Sequence, residues 1–128
     1  MYGNACSLKD VDILKIQSPR HSVGGPYVVV YKDVEQRWAI VALDWDGRPR
    51  LGIRWFWGNS GNPLSSGYPT WFVIPKPLTR NMLNGLAINH NIACKVNNYL
   101  CGKISGDELK TALTSVSVGS DSVDDGAE

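Results

Sequence analysis

The stretch RWAIVALDWDGRPRLGIRWFW, residues 37–57, decides the fold. Two runs rich in β-branched and aromatic residues flank a turn predicted at 47–49, and they span 37–46 and 50–57. A pair of such runs on either side of turn residues predicts a β-hairpin. The sequence therefore predicts two adjacent antiparallel strands at the centre of the chain.

A register that pairs Asp46 with Arg50 gives this hairpin one wholly apolar face, which we expect to be core. Its members are Val41, Leu43, Trp45, Leu51, Ile53 and Trp55. The other face carries Arg50, Arg54 and Phe56 beside Asp44 and Asp46. Cross-strand ion pairs then account for the two arginines, and this face is left for solvent or a partner.

The elements around the hairpin complete the predicted fold. Strands are expected before and after it, and a change to helical spacing follows, with a Ser-x-x-Glu capping box at the last helix start. The segment 8–16 fits a short helix or an edge strand, and 18–26 a loop. Strands followed by helices favour an α+β fold: a meander-like, antiparallel four-stranded sheet with C-terminal helices on one face. The further elements are strands at 27–32 and 70–74, helices at 77–88 and 91–101, and the capping box at Ser105 and Glu108.

Composition bounds the class of protein. The chain of 128 residues is 43% hydrophobic and 20% charged, which indicates one domain, predicted over 1–115. The last fourteen residues carry four acidic and no basic side chains, so 116–128 are expected to be a disordered acidic tail. The remainder is mildly basic, which is short of a nucleic-acid footprint.

The N-terminal sequence and the cysteines suggest a compartment. MYGNACSLKDVDILK lacks the basic and apolar segments of a secretory signal, and the longest apolar run is WAIVAL at 38–43. We therefore expect no membrane span. Three cysteines, Cys6, Cys94 and Cys101, do not suit a disulfide framework. These features favour a cytoplasmic protein.

The uncharged loop from Gly58 to Pro69 is the leading candidate for a binding site. It is longer than most connections in a small domain, and its amides and hydroxyls lie between aromatic residues. This composition suits a neutral, cationic or sugar-like organic ligand. The alternative is that its tryptophans are the ends of core strands and its glycines and prolines only set turns. The candidate ligand-binding residues are Arg54, Trp57, Asn59, Asn62, Tyr68 and Trp71.

A thiol-dependent enzyme that uses His90 and Cys94 is a second hypothesis, because the two residues lie one helical turn apart. A metal site shared by Cys94 and Cys101 fails on distance, since seven helical residues span about 10.5 Å. Cysteines buried against another helix or a second subunit are the favoured interpretation. A helix with both faces covered would then be sandwiched within the fold or lie at a homodimer interface.

Nucleic-acid contact through Arg50, Arg54 and Phe56 is a third hypothesis, with stacking on the sheet. The sequence contains no RNA-recognition signature, and its glycine-bearing segments GNSGNP and SVGGP lack the spacing of a phosphate-binding loop. A binding or interaction role is therefore favoured over catalysis and over nucleic acid, with no cofactor or metal expected.

The segment LGIRWFWGNSGNPLSSGYPTWFVIP, residues 51–75, resembles small uncharacterised bacterial proteins, including ones carried by mobile integron gene cassettes. The resemblance implies a bacterial, cytosolic, single-domain accessory protein of unassigned activity. Some cassette proteins of this size are dimers with a cavity that accepts a ligand. The resemblance implies no catalytic residues for this chain.

Overall fold

The structure, a computed structural model, describes residues 7–114 of the chain. The predicted tail at 116–128 and Cys6 lie outside the described residues. The α+β prediction is confirmed, and the segment 8–16 holds a short helix. In chain order the elements are α1 (Asp10–Ile13), β1 (Val23–Asp33), β2 (Trp38–Trp45), β3 (Arg48–Trp55), β4 (Leu64–Ser65), β5 (Tyr68–Pro69), β6 (Phe72–Ile74), α2 (Lys76–Gly85), α3 (His90–Leu100) and a further helix, α4, over 106–114.

The main sheet has four strands in the order β1-β2-β3-β6, and every neighbouring pair is antiparallel. This is the predicted meander, interrupted between β3 and β6 by a second, two-stranded sheet of β4 and β5. Strand β1 begins earlier than predicted, at Val23, and its pairing with β2 is irregular between Gly24 and Val28. Within residues 7–114, no helix has the length and apolar character needed to cross a membrane.

The predicted register of the central hairpin is wrong. Trp45 pairs with Arg48, so the turn consists of Asp46 and Gly47 alone. Their φ angles of 52° and 82° are those of a two-residue turn that matches the twist of the strands. Pro49 belongs to β3, at a point that β6 does not reach, and a proline without an N–H is tolerated there.

The corrected register divides the apolar side chains between both faces of the sheet. On the face that carries the helices, Ile40, Ala42 and Leu51 pack with residues of α2, α3 and α4. On the other face, Val41 and Leu43 pack with Ile13, Phe56 and Trp71. The prediction of a single apolar core face, with members from Val41 to Trp55, is therefore wrong. The face of Arg54 and Phe56, which was expected to be open to solvent or a partner, is covered by α1 and by the chain around β3 and β6.

Trp55 also differs from its prediction as a core residue. It pairs with Trp38 across the hairpin on the helix-bearing face, and its side chain is 39% exposed. The two indoles meet edge to face with ring centroids 6.4 Å apart, and Tyr31 extends this row with its centroid 5.4 Å from that of Trp38. These three rings lie at the edge of the core on the helix-bearing face.

The helix boundaries follow from local capping. Ser105 and Glu108 form the predicted capping box, since each backbone N–H donates to the other side chain, at 2.8 and 3.0 Å. Gly102 has a φ of +82° and donates to the carbonyl of Tyr99, as predicted for a C-terminal cap of α3. The Asn89 side chain accepts from the N–H of Asn91 and caps the start of α3.

Candidate functional site

The loop between β3 and β6 is folded around the side chain of Arg54, which is 1% exposed. Its Nη1 donates to the carbonyls of Thr70 at 2.8 Å and Pro63 at 3.2 Å, and its Nη2 donates to the carbonyl of Ser60. The guanidinium carbon lies 5.1 Å from the centroid of the Phe56 ring. Five donors on one planar group suit a set of carbonyls that converge in this way. These contacts hold three points of the loop on one side chain.

Two further features hold the loop. Trp55 and Asn62 exchange backbone hydrogen bonds of 2.8 and 3.1 Å, which close the segment 56–61. Strands β4 and β5 then form a small hairpin whose turn residues, Ser66 and Gly67, have φ angles of 52° and 86°. The segment predicted as a loop therefore contains secondary structure, and the prediction is wrong here. Its two-residue turn has the same geometry as the turn between β2 and β3.

The tryptophans predicted to line a loop site have different environments. Trp71 is 3% exposed, packs in the core of the second sheet face and donates from its indole nitrogen to the carbonyl of Ile16 at 2.9 Å. Trp57 is 43% exposed, and the guanidinium carbon of Arg37 lies 5.9 Å from its ring centroid. Trp71 thus matches the alternative of a core strand end, whereas Trp57 is at the surface.

Two adjoining clefts lie along the seam between the N-terminal segment and this loop. The larger, of about 450 Å³, is lined by Lys15, Ile16, Gln17, Ser18, Arg20, Tyr68 and Pro69. The smaller, of about 160 Å³, is lined by Ser7, Asp12, Ile16, Arg54, Phe56, Asn59, Ser60 and Pro69. They share Ile16 and Pro69 as a common wall. The seam therefore combines an aromatic hydroxyl, amides and basic side chains with one carboxylate, that of Asp12 in the smaller cleft.

Of the six predicted ligand-binding residues, the clefts bring together Tyr68, in the larger, with Arg54 and Asn59, in the smaller. The linings of these two clefts do not include Trp57, Asn62 or Trp71. The side chain of Asn62 is exposed, and its backbone closes the loop.

Comparisons of the chain with protein-family models, curated proteins and solved structures find no match. The integron-cassette resemblance therefore stays a prediction. The role of the clefts has to be inferred from the geometry and charge of the residues that line them.

Sequence reasoning missed the residues from 15 to 20. The pattern there predicted only a short element and a loop, and these residues are about fifty positions away from Tyr68 in the chain. They reach it because α1 packs on the sheet through Ile13, while Lys32 donates to Asp10 and to the carbonyl of Leu8, both at 2.8 Å. No local signal in the sequence indicates this contact.

The predicted ion pairs of Arg50 and Arg54 with Asp44 do not form, because the register puts Asp44 on the opposite face of the sheet. Arg50 donates instead to the carbonyl of Pro49 at 2.7 Å. Phe56 is 2% exposed. Of the surface expected for nucleic acid, both Arg54 and Phe56 are thus covered.

Asp44 instead joins the sheet to the helices. It accepts hydrogen bonds from the hydroxyls of Tyr27 at 2.6 Å and Tyr99 at 2.8 Å, and the Tyr99 hydroxyl also contacts the carbonyl of Leu43. Burial, followed by the hydrogen bond to Asp44, raises the pKa of Tyr27 to about 12. The same two causes raise the pKa of Tyr99. Both hydroxyls therefore keep their protons and act as donors.

His90 and Cys94 do meet, as the thiol hypothesis requires, with 3.4 Å between Nε2 and Sγ. They lie at the start of α3, and both side chains are exposed, as is that of Cys101. The prediction that the cysteines pack against another helix of the same chain is therefore wrong for Cys94 and Cys101, while burial against a second subunit stays a prediction. The buried side of α3 carries Val96 and Tyr99 instead.

Proposed function

We propose that this chain is a small binding module whose ligand is a small organic anion with an aromatic ring, held in the larger cleft beside Tyr68. The observation that carries the proposal is the composition of that cleft. An aromatic ring that is 66% exposed shares its lining with Lys15 and Arg20. A ring that stays in solvent on a rigid hairpin is available to stack on a planar ligand.

The size of the cleft supports a ligand of low molecular weight. Its volume of about 450 Å³ lies within the usual range for small-molecule sites, which is roughly 300–1,000 Å³. Ile16 and Pro69 give it apolar walls, while Gln17 and Ser18 supply neutral hydrogen-bonding groups. This mixture of apolar wall and few polar groups is typical of sites that orient an organic molecule.

The wall that carries Tyr68 is fixed before any ligand arrives. Tyr68 pairs with Ser65 in the β4–β5 hairpin, and Arg54 holds the carbonyls of Pro63 and Thr70 on either side of that hairpin. A preformed wall reduces the entropy that is lost when a ligand binds. The site therefore needs little rearrangement to accept its ligand.

The charge of the lining favours an anion. Lys15 and Arg20 are its charged members, and no carboxylate belongs to it. Asp12 lies 3.6 Å from Lys15, which is largely exposed, while Asp12 is half-buried, and such pairs near the surface are weak. Arg20 forms no ion pair with any residue between 7 and 114. The loop alone predicted a neutral or cationic ligand. We propose an anionic ligand instead, because the N-terminal segment contributes the basic side chains of Lys15 and Arg20 to the cleft.

A thermal-shift comparison of benzoate with benzamide tests this proposal, since the two probes share a ring and differ in charge. We expect benzoate to raise the melting temperature by mass action and benzamide to raise it less. Tyr68→Ala is expected to weaken benzoate binding about three- to tenfold, and Arg20→Met about tenfold. Arg48→Met, which removes an exposed arginine of β3 outside the cleft, is the matched control. Equal shifts with the two probes would contradict the proposal.

A further inference from the structure

The exposed side of α3 carries a second feature, separate from the clefts. His90 and Cys94 lie one turn apart, with Nε2 and Sγ separated by 3.4 Å. In a tetrahedral zinc site with Zn–S of about 2.3 Å and Zn–N of about 2.0 Å, the two donor atoms lie roughly 3.5 Å apart. The pair is therefore already spaced as two ligands of one cation, without any change in the helix.

The donor types match the same class of metal. A thiolate with an imidazole nitrogen is the ligand set of zinc and of other borderline or soft cations, whereas magnesium and calcium take oxygen donors. Nε2 faces the sulfur, so a neutral His90 that carries its proton on Nδ1 presents the correct lone pair. When the metal binds, the Cys94 thiol releases its proton to solvent as the metal–sulfur bond forms.

One chain supplies only half of a zinc site. Within residues 7–114, no three His, Cys, Asp or Glu side chains are grouped so that they could hold a metal ion. Zinc sites in proteins use three or four protein ligands, and structural sites use four. A second copy of the chain, related by a twofold axis, would bring a second His90 and a second Cys94 to the same cation.

The surface around the pair suits a second copy. Just beyond the end of α3, Cys101 shares a cleft with the basic residues Lys76 and Arg80. The exposed residues of this side within α3 are His90, Asn91, Cys94 and Asn98, and none of them is an acid, a lysine or an arginine. They project within about 100° of one another around the helix. Two identical surfaces that meet about a twofold axis repel when they carry like charges. The part of α3 around His90 and Cys94 therefore meets its copy without that repulsion.

We propose that two copies of this chain bind one zinc ion between their α3 helices, through His90 and Cys94 of each copy. The metal then links the chains in a dimer, and the Tyr68 clefts belong to a different part of each copy. This site is independent of the proposed ligand.

The test uses the full chain with Cys6→Ser and Cys101→Ser, in which Cys94 is the only thiol, kept reduced by a phosphine. Calorimetry with zinc and sedimentation should give one metal per two chains and a dimer that a chelator converts to monomer. Cobalt in place of zinc should give a thiolate-to-cobalt absorption band. Cys94→Ser should abolish the band and the dimer.

His90→Gln is the second variant, and because His90 is exposed at a helix start it is not expected to unfold the chain. Residues that only support a metal ligand already contribute about 10–100-fold to affinity, so loss of a ligand should weaken zinc binding more than about tenfold. One zinc per monomer, unchanged affinity in His90→Gln, or a dimer that persists after chelation would overturn the proposal.

Discussion

Arg54 shows how one buried side chain gives a polar segment a fixed shape. Its guanidinium donates to carbonyls at Ser60, Pro63 and Thr70, which lie outside the named strands. Gly61 lies so close that a Cβ there would overlap with the guanidinium and with the carbonyl of Trp55. An alternation pattern treats an arginine as a surface residue, so this role could not be predicted from the sequence.

Replacing Arg54 with methionine should therefore destabilise the protein. The substitution keeps an apolar chain of similar length but removes the guanidinium donor from the carbonyls of Thr70 and Ser60. The Pro63 carbonyl loses one of two donors, since it also accepts from the N–H of Thr70. We expect the free energy of unfolding, measured with urea, to fall by about 2–4 kcal/mol. The exposed Arg48→Met should change it by less than about 0.5 kcal/mol. Similar losses in the two variants would show that Arg54 does not organise the loop.

The tyrosines on Asp44 predict a pH dependence at the alkaline end. The pKa of Tyr27 is raised from 10.0 to about 12, so the unfolded chain loses this proton at a lower pH than the folded chain. The free energy of unfolding should then be unaffected by this group below pH 10 and should fall between about pH 10 and 12. Denaturant curves across this range should show a shallower fall in Tyr27→Phe. An identical fall in both proteins would contradict the raised pKa.

At the scale of the elements, local patterns predict most of what is observed. The four strands of the main sheet, both long helices and the capping box of Ser105 and Glu108 were predictable because each depends on residues near it in the chain, whereas β4 and β5 were not predicted. The register was predicted wrongly because Pro49 was interpreted as part of the turn. The Asp46–Gly47 pair carries the stronger signal for a two-residue turn, and it also decides which face each side chain occupies.

Helix α4 approaches β1 at Gly106, which gives a second stability prediction. A Cβ on Gly106 would overlap with the Tyr27 ring, and that ring is held by the hydrogen bond to Asp44. We expect Gly106→Ala to lower the free energy of unfolding by about 1–3 kcal/mol.

Gly85→Ala in α2 is the matched control, because nothing lies within 4 Å of its added Cβ. A better helix former there should leave stability unchanged or raise it by up to about 1 kcal/mol. Equal effects of the two substitutions in chemical denaturation would mean that α4 does not pack on Tyr27 as described.

At the scale of the whole molecule, the sheet separates two surfaces of different composition. The helices cover one face, while α1, Phe56 and Trp71 cover the other and leave the clefts along their seam. The composition of residues 58–69 predicted a binding site in this part of the molecule. The basic side chains of that site could not be predicted, because Lys15 and Arg20 reach Tyr68 only through the tertiary packing of the N-terminal segment.

An NMR titration of the isotope-labelled chain with benzoate, followed through its backbone amide signals, tests whether the larger cleft binds an organic anion. We expect saturable shifts at residues 15–18, at Arg20 and at Tyr68, which line this cleft. These shifts should weaken with salt, since the ligand is held in part by exposed charges, and they should be smaller with benzamide. Shifts confined to Trp57 and its neighbours, or equal shifts with the two probes, would contradict a site for an organic anion beside Tyr68.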